Sequence, residues 1–411
     1  LYTHTSGVYS ASLKSESDAG RGEINFGLNF RDRDIRDNGL NGQPRTSWKS
    51  NDQWMFSISP RYELTSIDDL KLYAGADADY ADIRYSQQSW ISSQNRKVTA
   101  AFATVTRLDA GAYGGGEYAF AKDWNFTFSG RAEAARTAAW NTQYLPYSLP
   151  WPKPVVDAKN SYVEDVWTCG LAGSLGLNYK LTKESSVYFR FDQVYHYPTT
   201  DEIAFYQGAT QAGGFPFNRD LNPERGQNYE LGYKYIDKKW NAGANFFALY
   251  LNNEIMYDYV RQLNINADPT LRYGLDLNLS YDDEVWGAFA AATFVKAEFA
   301  GGKYDGKRIP LVPEFGATAA LWFKPTDILR ILGRVNYSTN QVQGNDFDNA
   351  RRNVPSYVTF DLQADIKICK YASMFFAVEN IGDENYAVYA YNDGFYPARG
   401  RTFKLGLNLQ Y

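Results

Sequence analysis

From Thr402 to Tyr411 the chain reads T-F-K-L-G-L-N-L-Q-Y, a strict alternation that ends on an aromatic residue. Phe403, Leu405, Leu407, Leu409 and Tyr411 share one face of an extended strand; Thr402, Lys404, Gly406, Asn408 and Gln410 share the other. The pattern recurs along most of the sequence. Ile24, Phe26, Leu28 and Phe30 alternate with Glu23, Asn25, Asn29 and Arg31. Trp54, Phe56, Ile58, Tyr62 and Leu64 oppose Gln53, Ser57, Arg61 and Glu63. Tyr273, Leu275, Leu277, Leu279 and Tyr281 oppose Arg272, Asp276, Asn278 and Ser280, and Val358, Phe360, Leu362, Ala364 and Ile366 oppose Thr359, Asp361, Gln363, Asp365 and Lys367. Each run is about 9–11 residues, the length that crosses a hydrocarbon layer at a tilt near 45°.

The connections fall into two alternating classes. Short polar turns are expected at Ser15–Gly20, Ser66–Asp69, Ala121–Asp123, Thr182–Ser185, Asp237–Lys239, Asp282–Glu284, Pro325–Asp327 and Lys370–Tyr371. Between them lie long loops near 32–51, 83–97, 141–164, 197–222, 254–270, 298–312, 338–355 and 380–399. Alternation of long with short places every long loop on one rim of an antiparallel barrel. In outer-membrane barrels that rim is extracellular. The fold class expected is therefore all-β, an antiparallel transmembrane barrel with about 17 strands, provided 97–121 is one long strand. An odd antiparallel set cannot close on itself. The reading thus expects strands to be missing at the N-terminal side, and the Leu1–Leu13 strand to carry an open edge or to pair outside this sequence.

Composition agrees. Of 411 residues 17% are aromatic, led by 33 tyrosines; Tyr and Trp suit membrane–water interfaces, where a ring and a polar tip are both satisfied. No run approaches the roughly 20 apolar residues of a helical span. The net charge of −5 argues against nucleic acid as a partner. Cys169 falls with outward Leu171 and Leu175, and Cys369 with inward Asp365 and Lys367, so two free thiols are expected. Leu1 opens in a half-finished amphipathic strand without a basic and apolar leader, so any signal peptide is expected to have been removed or to lie upstream.

Two segments carry identity. One is His196-Y-P-T-T-D-E-I-A-F-Y followed by Asp220-L-N-P-E-R-G-Q-N-Y-E-L-G-Y-K-Y. The other is Asn380-I-G-D-E-N-Y followed by Tyr396-P-A-R-G-R-T-F-K-L-G-L. Together they resemble the barrel of TonB-dependent outer-membrane receptors, sharply over 196–235 and 375–411. The resemblance implies a 22-stranded barrel around a plug, the class of plugged transporters. Residues 1–411 would then be a transmembrane barrel domain lacking the plug domain and first strands. It also implies the bacterial outer membrane, contact with outer-membrane lipid and lipopolysaccharide, a plug from the same protein, and a TonB-type periplasmic energy-coupling protein.

The residues have their own physical readings. Pro223 removes a ladder donor where a strand begins. Inward charges at Arg190, Asp192, Glu230, Lys234, Asp276, Arg330, Arg334, Asp361, Asp365 and Lys367 require a wet interior. Aromatics crowd the long loops, and loops on a rigid scaffold are where recognition concentrates. Tyr197, Tyr206, Phe217, Tyr391 and Arg399 are the expected ligand contacts, against the plainer role of packing the loops together. Asn345-D-F-D-N offers oxygen ligands but lacks the spacing and closing Glu of a calcium loop, so a solvated loop is expected there. His4 and His196 are the only histidines, which excludes a multi-His metal site. No cofactor is expected, and no nucleophile pairs with His196, so no enzyme is expected. The functional expectation is a transporter that captures a scarce bulky solute, such as siderophore-bound iron, a cobalamin-like cofactor or a glycan; the alternative is a passive porin or channel.

Overall fold

The computed structural model describes residues 2–37, 47–91, 96–144, 162–203, 218–258 and 263–409. The first half contains β1 (Tyr2–Ser17), β2 (Gly20–Asp37), β3 (Ser47–Ile67), β4 (Leu70–Ile91), β5 (Arg96–Ala121), β6 (Trp124–Tyr144), β7 (Tyr162–Lys180) and β8 (Ser185–His196). After a one-turn helix α1 (Thr200–Ile203) come β9 (Glu224–Ile236), β10 (Trp240–Asn252), β11 (Ile255–Asp258), β12 (Leu263–Asn266), β13 (Thr270–Asp282) and β14 (Trp286–Phe299). The chain ends with β15 (Phe315–Thr326), β16 (Leu329–Ser338), β17 (Tyr357–Cys369), β18 (Ala372–Glu379), β19 (Ala387–Tyr391), β20 (Gly394–Pro397) and β21 (Thr402–Leu409).

Seventeen of these strands form one sheet in which sequence neighbours pair antiparallel; β11–β12 and β19–β20 are separate hairpins within loops. Among the described residues β1 pairs with β2 alone and β21 with β18 alone, so the outer edge expected at the first strand is open. The short turns fall where alternation placed them. The 96–121 segment is a single 26-residue strand.

The ladder carries the alternation from strand to strand. Leu407 lies opposite Met374, and Phe360 opposite Val335; Leu277 sits between Ala244 and Ala292. These side chains point out of the sheet and are exposed, as a lipid-facing wall requires. On β3 the outward row runs from Trp54 to Leu64, a span of ten residue steps that rises on the order of 23 Å at a 45° tilt, close to the apolar band of an outer-membrane barrel. Rings gather at both limits. Phe30 stacks on Trp54 at 5.4 Å near the long-loop rim. Trp240, Tyr281 and Trp286 form a chain at 4.7 and 4.4 Å beside the short turns. Cys169 and Cys369 are free.

Two expectations need correction. Strand extends into the loops expected near 32–51, 83–97 and 141–164: β2 runs to Asp37, β4 to Ile91 and β6 to Tyr144, while β3 starts at Ser47, β5 at Arg96 and β7 at Tyr162. Above the lipid the outward face turns polar, with Asp82 and Arg84 paired at 3.0 Å on β4. Backbone hydrogen bonding continues there after the apolar pattern has stopped. The loops 254–270 and 380–399 in turn contain the hairpins β11–β12 and β19–β20.

Candidate functional site

The inner wall carries a belt of paired charges. Arg131 on β6 donates to both carboxylate oxygens of Asp77 on β4, at 2.6 and 2.5 Å, and through Nε to Glu133. The Tyr195 hydroxyl donates to Glu133 at 2.7 Å. Arg107 on β5 donates to Asp109 at 2.9 Å and to the Pro198 carbonyl at 2.6 Å, with the Tyr197 ring 4.8 Å from its guanidinium carbon. Further round, Arg190 pairs with Asp192 at 2.8 Å, and Asn228 donates to Asp192 and Glu230 at 3.3 and 2.9 Å. Of the inward charges expected from sequence, Arg190, Asp192, Glu230 and the Arg330–Asp365 pair at 3.6 Å join this belt. Asp77, Arg107, Asp109, Arg131 and Glu133 were missed. Their alternation was visible as R-L-D and R-A-E, but on strands of alanine and glycine with a faint apolar face.

At the long-loop rim the connections fold into a shelf that begins on the inner face. Val295, Ala297 and Phe299 share the inward register of Thr293 and Asp276. Phe299 is buried against Tyr304 and Phe347, with Ile309, Met256, Ala267 and Val312 around it. Burial of such rings is worth about 1.5–3 kcal/mol each, enough to order loops that have few ladder bonds. Glu254 seals the edge by accepting from Arg272 at 2.6 and 2.9 Å and from Thr270 at 2.6 Å.

Hydrogen bonds join the loops in series. The α1 loop meets β12 through Asn264 Nδ2 and the Glu202 carbonyl at 3.1 Å. Lys303 N donates to Asp268 at 2.9 Å. Arg308 N donates to Asn349 at 2.7 Å, and Asn349 returns a bond to the Arg308 carbonyl at 3.0 Å. Gln343, fully buried, donates to the Arg352 carbonyl and to Asp393, and accepts from Asp393 N at 2.8 Å. Within α1, burial pushes the Glu202 carboxyl up, but bonds from His196 and from Thr199 hold it below its ordinary value.

The Asn345-D-F-D-N segment is built into this shelf and is not a solvated loop. Asp346 is buried and accepts from Ala350 N and Arg351 N at 3.0 and 2.9 Å, while Phe347 packs on Phe299. Among the described residues no group of His, Cys, Asp and Glu has the geometry to hold a metal ion.

Tyr197 and Tyr391 mark opposite ends of the shelf. Tyr197 is half-buried, stacked on Tyr195 at 5.6 Å and on Arg107. Tyr391 sits on β19 with Tyr389 and Tyr396 about it, and its ring lies against Gly344. Burial and its neighbours Tyr389 and Tyr396 push the Tyr391 phenol up, so it stays a neutral hydrogen-bond donor. Arg399 is exposed between β20 and β21. Tyr206 and Phe217 lie outside the described residues.

A Cβ at Gly344 would fall 2.0 Å from Tyr391 Cε1. Gly344→Ala is therefore expected to push the hairpin off the shelf at a local cost of about 1–3 kcal/mol. Faster proteolytic cleavage between 380 and 399, with unchanged barrel refolding, would register it; unchanged cleavage would show that the ring moves aside freely.

Comparison with known proteins gives a consistent result. The family described as TonB dependent receptor-like, beta-barrel, matches residues 2–381. A probable TonB-dependent siderophore receptor, PiuA of Acinetobacter baumannii, is 28% identical over 211 residues, covering 47% of this chain and 28% of that protein. Copper transporter OprC superposes with a TM-score of 0.79 at 14% identity, over 100% of this chain and 65% of the other. The ferric yersiniabactin uptake receptor FyuA from Yersinia pestis gives 0.78 at 16%, over 100% and 62%. The chain thus spans less than two thirds of each of these proteins.

Proposed function

Because this chain belongs to the TonB-dependent receptor β-barrel family, we propose that it captures an iron–siderophore complex at the cell surface for uptake energised by a TonB-type periplasmic protein. The protein is an outer-membrane β-barrel, and its family is one of receptors and transporters. In this reading residues 1–411 form the barrel domain, a plug domain of the same protein fills the lumen, and lipid and lipopolysaccharide meet the outer wall. No residue is assigned a catalytic role.

The observation that carries the reading is the shelf. Loops rooted on inward Val295, Ala297 and Phe299 pack on one another at the long-loop rim and lock by bonds such as Gln343–Asp393. A receptor that must hold a scarce ligand needs an ordered surface of this kind at the rim that meets the ligand. Named relatives support the ligand class: one is a probable siderophore receptor, another a ferric-pyoverdine receptor of Pseudomonas putida, 27% identical over 255 residues. Tyr197, Tyr206, Phe217, Tyr391 and Arg399 are the proposed contacts, with Tyr197 and Tyr391 at the two ends of the shelf.

Iron-starved cells lacking their own receptors, supplied with the full-length gene, test this. Radioiron uptake from a panel of ferric chelates is expected to be saturable and to vanish when the coupling protein is deleted. Removing residues 204–217 is expected to abolish capture while heat-modifiable barrel mobility persists. Unsaturable flux that survives loss of the coupling protein and admits unrelated sugars would instead establish a porin.

A further inference from the structure

The helix α1 is four residues long, too short to hold itself by its own backbone bonds. One carboxylate oxygen fixes it. Glu202 Oε2 accepts from Thr199 N at 2.7 Å, from Thr199 Oγ1 at 3.0 Å and from His196 Nε2 at 3.3 Å. The first bond is half of a capping box, in which a carboxylate at the third helical position reaches back to the residue before the helix. The last ties the turn to the final residue of β8.

Both ends of the turn are anchored elsewhere. Pro198 is buried, and its carbonyl accepts from Arg107 of the inner wall at 2.6 Å. Ile203 is 2% exposed, and its carbonyl accepts from Asn218 N at 2.8 Å. Asn218 Nδ2 donates to the Asn264 carbonyl at 2.6 Å, and Asn264 Nδ2 donates to the Glu202 carbonyl at 3.1 Å. The turn is therefore the joint between β5 of the wall and the β11–β12 hairpin of the shelf.

His196 stands between two carboxylates. Glu202 meets it from α1, and its cross-strand partner on β9 is Glu224, which accepts from Ile255 N at 2.6 Å. Arg107 acts on it from β5, and Glu254, paired with Arg272, acts on Glu224 from beyond. From this arrangement we infer that the Tyr197–Ile203 turn is a pH-sensitive latch: protonated His196 closes it on Glu202 and orders the part of the shelf joined through α1 and β12, and neutral His196 loosens it.

The bond to Glu202 raises the imidazole above its ordinary value of 6.5, assisted by the charges of Glu202 and Glu224 and opposed by burial and Arg107. Its contribution is thus complete below about pH 6.5 and is lost as pH rises through the raised value. The Glu202 carboxyl is held below its ordinary 4.5, so its contribution is present above that pH and is lost as pH falls through the lowered value. The latch is tightest in mildly acid surroundings. His196 and Glu202 are 45% and 28% exposed, so solvent screens the pair and the effect is a few-fold rather than all-or-none.

Hydrogen exchange of the full-length gene product in detergent, followed by mass spectrometry at about pH 5.5–8.5 and corrected for intrinsic rates, tests it. Protection of the Glu202 and Ile203 amides, both bonded to the Thr199 carbonyl, is expected to fall roughly two- to five-fold as pH rises over that range. His196→Gln keeps a donor without the charge and is expected to hold these amides near the parent's high-pH level throughout. Glu202→Gln is expected to flatten the profile in the same way, and His4→Gln to leave it as in the parent. Heat-modifiable mobility confirms folding, and either latch variant decides the matter if the other does not fold. A flat parent profile, an undiminished fall in a folded latch variant, or an equal fall across the β17–β18 ladder would overturn the inference. The readout needs no solute, so it holds or fails independently of the receptor reading.

Discussion

Arginine placed at Leu277, Phe360 or Leu407 is expected to destabilise the membrane-inserted state by about 2–4 kcal/mol where the site lies near the bilayer midplane. The three side chains lie on three different strands, and all point away from the polar inner wall. Leu277 stands between Ala244 and Ala292, so a guanidinium there has only methyl groups and lipid around it. Phe360 faces Val335, and Leu407 faces Met374 on the last pair of strands. The same substitution at the inward positions Asn278, Gln363 or Asn408 of the same strands turns the charge inward. Gln363 already bonds Asp365 at 2.7 Å there, and the Asn278 amide lies over Gly243, which has no side chain to obstruct a longer one. Those changes are expected to be much milder. Refolding titrations of the six variants into lipid measure the difference, and a reversed ranking would mean that the two faces of the wall have been exchanged.

What alternation reveals is the lipid, and this sets the limit of its reading. Where one face meets hydrocarbon, as along Trp54–Leu64 or Phe403–Leu409, the sequence specifies strand, register and face together. On β4 the outward residues change from Tyr80 to Asp82 and Arg84, and the signal ends although the ladder to β5 continues to Ile91. The strands therefore look shorter in sequence than they are. The charged belt on β4–β6 was hidden for a related reason: Arg131 and Glu133 alternate with alanines, too small to mark a face. The shelf is less legible still. Its key bond joins Gln343 to Asp393 across fifty positions, and its hairpins are only four or five residues per strand. Nothing local foretells such pairings. The aromatic richness of the loops was plain, but which rings hold the shelf and which face solvent is settled only by the contacts of the folded loops.

Phe299→Ala separates the shelf from the wall that supports it. Phe299 is the last residue of β14 and is 1% exposed. Its ring touches Tyr304 at 5.6 Å and meets Phe347 edge-on at 5.8 Å, so it ties the 300–314 and 339–356 loops to the inner face. Removing a buried phenylalanine costs about 3–5 kcal/mol. The lipid-facing ladder loses no contact, so the cost falls on local opening of the loops, whose open population should rise by a factor on the order of 10²–10⁴. Limited proteolysis is expected to cut those loops much faster while the midpoint of barrel refolding moves little. Chelate capture is expected to fall with loop order if the shelf is the binding surface, because Gln343, Gly344 and the tyrosine hairpin all depend on the 339–356 loop for their position. Unchanged protease resistance would show that the backbone bonds between loops are sufficient without the aromatic core. Faster cleavage with undiminished capture would place the binding surface on the inner wall, along Arg107, Arg131 and Tyr195.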